Sequence, residues 1–226
     1  MDDIVGRLKS LIPSDQFQLI IGSLMGDARL ECRSKSIRVK HTARLRIHQS
    51  DKQKNYVFWK YQILKNLVIR GPRFTKVWYD KKRNKNHYSW YFHTVSSETL
   101  GLFHKLFYRN GIKVVPTELL KELNSLGLAI WYMDDGSNNG NNLTLNTHCF
   151  SNNEQTVIQD LLRNKFGIIT TLVKDRNKLK IGIGSREYQK FIDLVKPYIP
   201  ASMNYKISSP RNDLSPNINS GQAAVI

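Results

Sequence analysis

Two apolar stretches of this chain end on carboxylates. "GLAIWYMDDG" (127–136) runs through apolar residues into Asp134 and Asp135, and "PSDQFQLIIGSLMGD" (13–27) runs the same way into Asp27. Both read as helices, and Gly136 is expected to close the second as a left-handed C-terminal cap. The C-terminus of a helix already carries about half a negative charge, so an acid there is disfavoured by roughly 0.3–1 kcal/mol. Something positive must answer these acids. Carboxylates gathered at such an end are either oxygen ligands for a cation or partners for a lysine.

The elements that would position them recur in both halves. Ser14 or Asp15 after Pro13 is the expected cap of the first helix, and Asn124 or Ser125 that of the second. In "SIRVK" (36–40) and "ARLRIH" (43–48), Ile37, Val39, Leu45 and Ile47 alternate with Arg38, Lys40, Arg44, Arg46 and His48. Period two predicts strands with one apolar and one basic face. "NLTLNTHCF" (142–150) alternates Leu143 and Leu145 with Asn142, Thr144, Asn146 and His148, which places His148 and Cys149 on a strand. "SDKQ" (50–53) and "SNNE" (151–154) both match the capping box. Helices ending near Ile69 and Phe166 should follow them.

A second strand pair comes next in each half. It is "RFTKVWY" and "HYSWYFH" around the basic turn "DKKRNKN" in the first, and "IITTLVK" and "KLKIGIG" around "DRN" in the second. Further helices are expected over 97–109 and 185–195. The predicted fold is α+β, with two pseudo-symmetric αββαββα repeats over 14–112 and 113–207 and a junction near 111–123. Residues 1–13 form an N-terminal extension and 208–226 a flexible tail rich in Ser, Asn and Gly. Gly22 and Gly26 give the first helix a smooth face, so the two acid-tipped helices are expected to pack together and bring Asp27 to Asp135.

Charge narrows the partner. Among 226 residues, 35 Lys and Arg face 18 Asp and Glu, a net charge of +17. That excess calls for a polyanion, nucleic acid before an anionic membrane surface, because surface-binding basic residues should cluster on a helix face rather than alternate on strands. No stretch has the roughly 18–20 apolar residues of a membrane span. The opening "MDDIVGRLKSLIP" carries acids where a targeting signal would be basic. Cys32 and Cys149 form no CxxC pair, so neither a disulfide framework nor a zinc site is expected, and a reducing compartment fits.

"IIGSLMGDA" (20–28) and "LAIWYMDDG" (128–136) resemble two copies of the motif of the LAGLIDADG homing endonucleases, each opening an αββαββα unit. The resemblance covers about residues 14–207 and is to the single-chain, two-repeat members. "LRNKFG" and "KPYIP…YK" are similar to the yeast mitochondrial intron-encoded type. It implies antiparallel DNA-binding sheets forming a saddle, with two packed motif helices at the repeat interface. Asp27 and Asp135 fall on the motif's metal-binding acid, aided by the carbonyls of Gly26 and Asp134. Mg²⁺ (or Mn²⁺), as two or three ions shared between Asp27 and Asp135, would supply phosphodiester hydrolysis with an activated water and charge stabilisation. The family also implies a lysine near each acid. Lys113 in "NGIKVVP" and Lys206 in "PYIPASMNYKI" occupy corresponding places in their repeats.

DNA contact is expected from both sheets, phosphates giving affinity and base edges specificity. The first repeat offers Arg29, Arg33, Arg38, Lys40, Arg44, Arg46, His48, Lys76, Trp78 and, in its basic turn, Arg83. The second offers Asn142, Thr144, Asn146, Lys174, Arg176, Lys178 and Lys180. These unequal faces suit a long asymmetric double-stranded site read by a monomer and cut to leave 3′ overhangs. The alternatives are an RNA maturase acting on its host intron RNA, and a non-catalytic DNA-binding regulator. The expected location is intracellular, in an organelle (mitochondrion or chloroplast) or a prokaryotic cytoplasm, and abundant Asn and Lys hint at an A·T-rich genome.

Overall fold

The computed structural model describes residues 2–32 and 41–208. The strand expected at 36–40 and most of the tail lie outside them. The first half comprises α1 (Asp2–Leu11), α2 (Ser14–Met25), β1 (Arg29–Cys32), β2 (Ala43–Ser50), α3 (Lys54–Ile63), β3 (Arg73–Asp80), β4 (Lys85–His93) and α4 (Glu98–Phe107). A short hairpin, β5 (Tyr108–Arg109) and β6 (Ile112–Lys113), and the single turn α5 (Thr117–Leu120) lead onward. The second half comprises α6 (Ser125–Asp135), β7 (Gly136–Asn138), β8 (Leu143–Leu145), α7 (Asn152–Phe166), β9 (Thr170–Asp175), β10 (Lys178–Ile183) and α8 (Ser185–Val195). Both four-stranded sheets are antiparallel and share one order, β1-β2-β4-β3 and β7-β8-β10-β9.

The core runs through the paired helices. Gln16 to Met25 of α2 and Gly127 to Asp134 of α6 are all buried, because each helix is covered by the other and by its own sheet. That is why both are apolar nearly all round rather than striped. A side chain at Gly22 would put its Cβ 2.3 Å from the Gly127 carbonyl oxygen, so the glycine sets the distance between the helices. Gln18 sews the far ends together, donating to the Glu122 carbonyl at 2.8 Å and accepting from the Asn124 N–H at 2.9 Å. Gly22→Ala is expected to cost about 1–3 kcal/mol through overpacking. Thermal melting would register it, and an unchanged midpoint would contradict the close approach.

Several local expectations are met and others corrected. Asn124 caps α6 by accepting from the Gly127 N–H at 3.1 Å, and Ser151 with Glu154 forms the capping box of α7. Pro13, not Ser14 or Asp15, holds the N-cap position of α2, and Asp15 instead accepts from the N–H of Gln16. Ser50 ends β2 and makes no side-chain cap. A 3-10 turn, Asp51–Gln53, follows it, with Asp51 accepting from the indole N–H of Trp90, so α3 starts later and ends sooner than the pattern suggested.

Gly136 is not left-handed: at φ −81° and ψ 151° it begins β7. It is glycine for space, since a Cβ there would lie 2.1 Å from the Tyr132 ring. The left-handed cap is Gly167, at φ 65° after α7. The first strand after α2 is Arg29–Cys32, paired with β2 from Arg29↔Arg46 to Cys32↔Ala43. β8 stops at Leu145, so His148 and Cys149 lie in a turn and not on a strand.

Candidate functional site

The tips of α2 and α6 meet at a point where Gly26 faces Asp134. A Cβ on Gly26 would lie 2.5 Å from that of Asp134, so the glycine in one motif copy makes room for the acid in the other. The Asp134 side chain is fully buried with that of Lys60, whose Nζ donates to both carboxylate oxygens at 2.7 and 2.8 Å. Gln49 Nε2 then bridges the two helix tips, donating to Asp134 Oδ1 at 3.3 Å and Asp27 Oδ2 at 3.1 Å. Asp27 itself is exposed.

Asp135 has a different environment. Burial first, then the charges of Asp27 and Asp134, push its carboxyl up to about 7, against the opposing pull of Lys113 and Lys206. Lys113 donates to the carbonyls of Leu24, Gly26 and Ala28 at 2.8, 3.2 and 3.0 Å. Lys206 donates to the Gly136 carbonyl at 2.6 Å. Burial lowers the pKa of both ammonium groups and the surrounding acids oppose it. Lys113 therefore serves the end of α2 and Lys206 that of α6, each through hydrogen bonds to carbonyl oxygens. Lys60 answers Asp134. Among the described residues Asp27 and Asp135 form no ion pair, so their carboxylates remain as oxygen donors at the tip that suit a hard divalent cation.

A groove lined by Asp27, Gln49, Arg29, Arg46, His48 and Trp78 joins this tip to the first sheet. In β2, Ala43, Leu45 and Ile47 point inward while Arg44, Arg46 and His48 point outward, as the alternation requires. Glu31 organises that outer face. Its carboxylate meets Arg29 at 2.8 Å, Arg44 at 2.7 Å, and Arg46 and His93 each at 3.7 Å. Burial would raise the Glu31 pKa, but the hydrogen bonds from Arg29 and Arg44 and the charge of Arg44 outweigh it and hold the group at about 2. Because the folded value lies below the ordinary 4.5, this stabilisation is complete above about pH 4.5 and is lost as pH falls toward 2. Glu31→Gln should flatten that acid limb in pH-dependent melts; an unchanged acid limb would contradict it.

The remaining candidates fall into groups. Lys76, Trp78 and Arg83 are exposed on or beside β3, with Trp78 stacked on His87 at 4.3 Å. Asn142, Lys174, Arg176 and Lys178 are exposed in the second half, and Asn146 is half-buried. Lys180 is paired with Asp175 at 2.8 Å. Thr144 is a correction: β8 is buried on both faces, and this threonine is 7 % exposed at the floor of a groove beside Thr171 and Gly182. Arg33, Arg38 and Lys40 lie outside the described residues.

Gln49 and Lys60 escaped the sequence reading, though both carry a signal. Gln49 continues the inward parity of Leu45 and Ile47, and Lys60 lies on the buried stripe of Tyr56, Val57 and Leu64. A polar group on an apolar face demands a buried partner.

Known proteins resemble this chain in sequence and fold. The model of the LAGLIDADG DNA endonuclease family matches residues 17–191. The chain is 32% identical over 214 residues to the DNA endonuclease I-ChuI of Chlamydomonas applanata, covering 87% of this chain and 96% of that protein. It is 30% identical over 210 residues to the cytochrome b mRNA maturase bI2 of Debaryomyces hansenii, covering 92% of this chain and 78% of that one. In fold it resembles the homing endonuclease I-WcaI bound to its DNA recognition sequence, with a TM-score of 0.76 and 24% identity over 90% of this chain and 92% of the other.

Proposed function

The chain belongs to the LAGLIDADG DNA endonuclease family, and from that premise we propose that it is an intron-encoded homing endonuclease that hydrolyses both strands of a long asymmetric DNA site. The observation that carries this reading is the meeting of Asp27 and the Asp134–Asp135 pair at one helix junction, opening onto an arginine-rich sheet. Asp27, Asp135 and the carbonyls of Gly26 and Asp134 are the oxygen donors that would hold Mg²⁺ or Mn²⁺. The Asp134 carboxylate is committed to Lys60 and contributes through its backbone. When bound, the metal supplies Lewis acidity at the scissile phosphate and an acidified water.

The protein's own groups do the positioning. Gln49 holds the Asp27 carboxylate toward the junction. Lys113 and Lys206 fix the carbonyls at the two helix ends and bring positive charge to where phosphate negative charge increases. Arg44, Arg46 and His48 face outward on one sheet, and Lys174, Arg176 and Lys178 are exposed on the other, which suits a monomer reading two dissimilar half-sites and leaving 3′ overhangs. If about six of these contacts release counterions, affinity should fall roughly a thousandfold between 50 and 200 mM salt. A flat salt response in a gel-shift titration would contradict that.

The maturase relative favours a second reading, in which the same surface binds host intron RNA and assists splicing. Location in an organelle accompanies either reading. A plasmid carrying the uninterrupted insertion site separates them. Linearisation in Mg²⁺ supports the nuclease, whereas intron splicing stimulated without any DNA cleavage supports the maturase.

A further inference from the structure

Three metal-binding side chains meet on the opposite side of the first sheet from its arginine face. Cys32 ends β1, His41 precedes β2, and His104 lies on α4. One ligand atom from each lies within 4.8 Å of the other two. A ring nitrogen of His41 is 3.2 Å from one of His104, and its other nitrogen is 3.8 Å from the Cys32 sulfur. We infer that Cys32, His41 and His104 form a zinc(II) site that ties the connected end of the β1–β2 pair, at Cys32↔Ala43, to α4.

Chemistry and local packing both support this. Zinc takes thiolate at about 2.3 Å and imidazole at about 2.0–2.1 Å in a tetrahedron, which puts neighbouring ligand atoms about 3.3–3.6 Å apart. The two imidazoles stand close to that spacing at 3.2 Å; the Cys32 sulfur faces the other His41 nitrogen, and a side-chain rotation that draws one ligand atom of each residue in from within 4.8 Å completes the set. The combination of soft thiolate and imidazole selects zinc over magnesium, so this site does not compete with the acids at the helix tips for their cation. Three protein ligands leave the fourth position to water.

The surroundings hold the ligands in place. Gly101, one turn before His104, lets the backbone of His41 lie directly on α4, where a Cβ would sit 2.0 Å from the His41 carbonyl oxygen. The Tyr108 ring stacks on His104 at 4.8 Å and 11°, and its hydroxyl accepts from the Leu30 N–H on β1. The chain between Cys32 and His41, "RSKSIRVK", carries four basic residues. Zinc would fix both ends of that segment beside the DNA-facing sheet. The ligands come from three separate elements, which is why no CxxC-type spacing announces them.

The test uses the full chain stripped with a chelator and titrated with cobalt(II) as a spectroscopic stand-in, then with zinc. One equivalent of cobalt should give a thiolate-to-metal charge-transfer band and the visible bands of a tetrahedral site, and zinc should displace it. Cys32→Ser should remove the charge-transfer band, and His104→Ala should weaken binding about 100-fold or more. Asp27→Asn and Cys149→Ser should leave the spectrum unchanged. One equivalent of zinc should raise the melting midpoint of the wild-type chain and not that of Cys32→Ser. Should His104→Ala fail to fold, Cys32→Ser, a near-isosteric change, still decides the matter. No thiolate band, a band that depends on Cys149, or an equal zinc shift in Cys32→Ser would each overturn the site and leave an ordinary hydrogen-bonded histidine pair.

Discussion

Asp27→Asn and Asp135→Asn are each expected to lower the cleavage rate by about 10³-fold or more while leaving DNA binding measured without divalent metal nearly intact. Each amide removes a hard anionic oxygen from the junction of α2 and α6 and keeps the side-chain volume, so the helix packing survives. Single-turnover cleavage alongside a gel shift separates the two effects. Loss of binding in parallel with cutting would mean that the acids support the fold instead of the chemistry.

Asp135→Asn carries a second signature without metal. The folded pKa of about 7 lies above the ordinary 3.8, so the fold disfavours the ionised carboxylate. The resulting destabilisation is absent below about pH 4, grows as pH rises toward 7 and is complete above it, at of order 4 kcal/mol. The asparagine variant should therefore melt higher than wild type at pH 8 and the same at pH 4. Mg²⁺ should narrow the pH 8 difference by stabilising wild type alone.

Lys60→Met is expected to destabilise the protein by about 3–5 kcal/mol, because it leaves the fully buried Asp134 carboxylate without its cation. For a chain of this size that corresponds to a melting shift of roughly 10 °C. The double variant Lys60→Met with Asp134→Leu should recover most of the loss, since an apolar pair of similar volume replaces a buried ion pair at little cost. Failure of the double variant to recover would show that Lys60 acts through contacts other than Asp134. Gln49 ties this pair to Asp27, so the single variant should also slow cleavage at temperatures where it remains folded.

Much of this was legible because periodicity reports burial directly. The alternation over 43–48 matches the inward Leu45 and Ile47 and the outward Arg44 and Arg46 of β2, and α8 spans the predicted 185–195. The family resemblance implies a lysine near each acid, and Lys113 and Lys206, at corresponding places in the two halves, reach helix-end carbonyls. What stayed hidden depends on distance across the fold. Gly136 looked like a cap, but its lack of a side chain accommodates the Tyr132 ring. Thr144 sits at an outward position by period two, yet β8 is covered on both sides. Local sequence carries no information about which element covers a given face. Cys32, His41 and His104 likewise meet only once α4 is packed on the first sheet.

In the proposed mechanism, carboxylates from two separate halves hold one catalytic cation group beneath the duplex. Anomalous diffraction from a co-crystal with target DNA and manganese measures this directly. The expected result is a manganese peak ligated by both Asp27 and Asp135 and by an oxygen of the scissile phosphate. Manganese held by only one of these acids, or bound away from the junction of α2 and α6 in a crystal that cleaves its DNA, would contradict it.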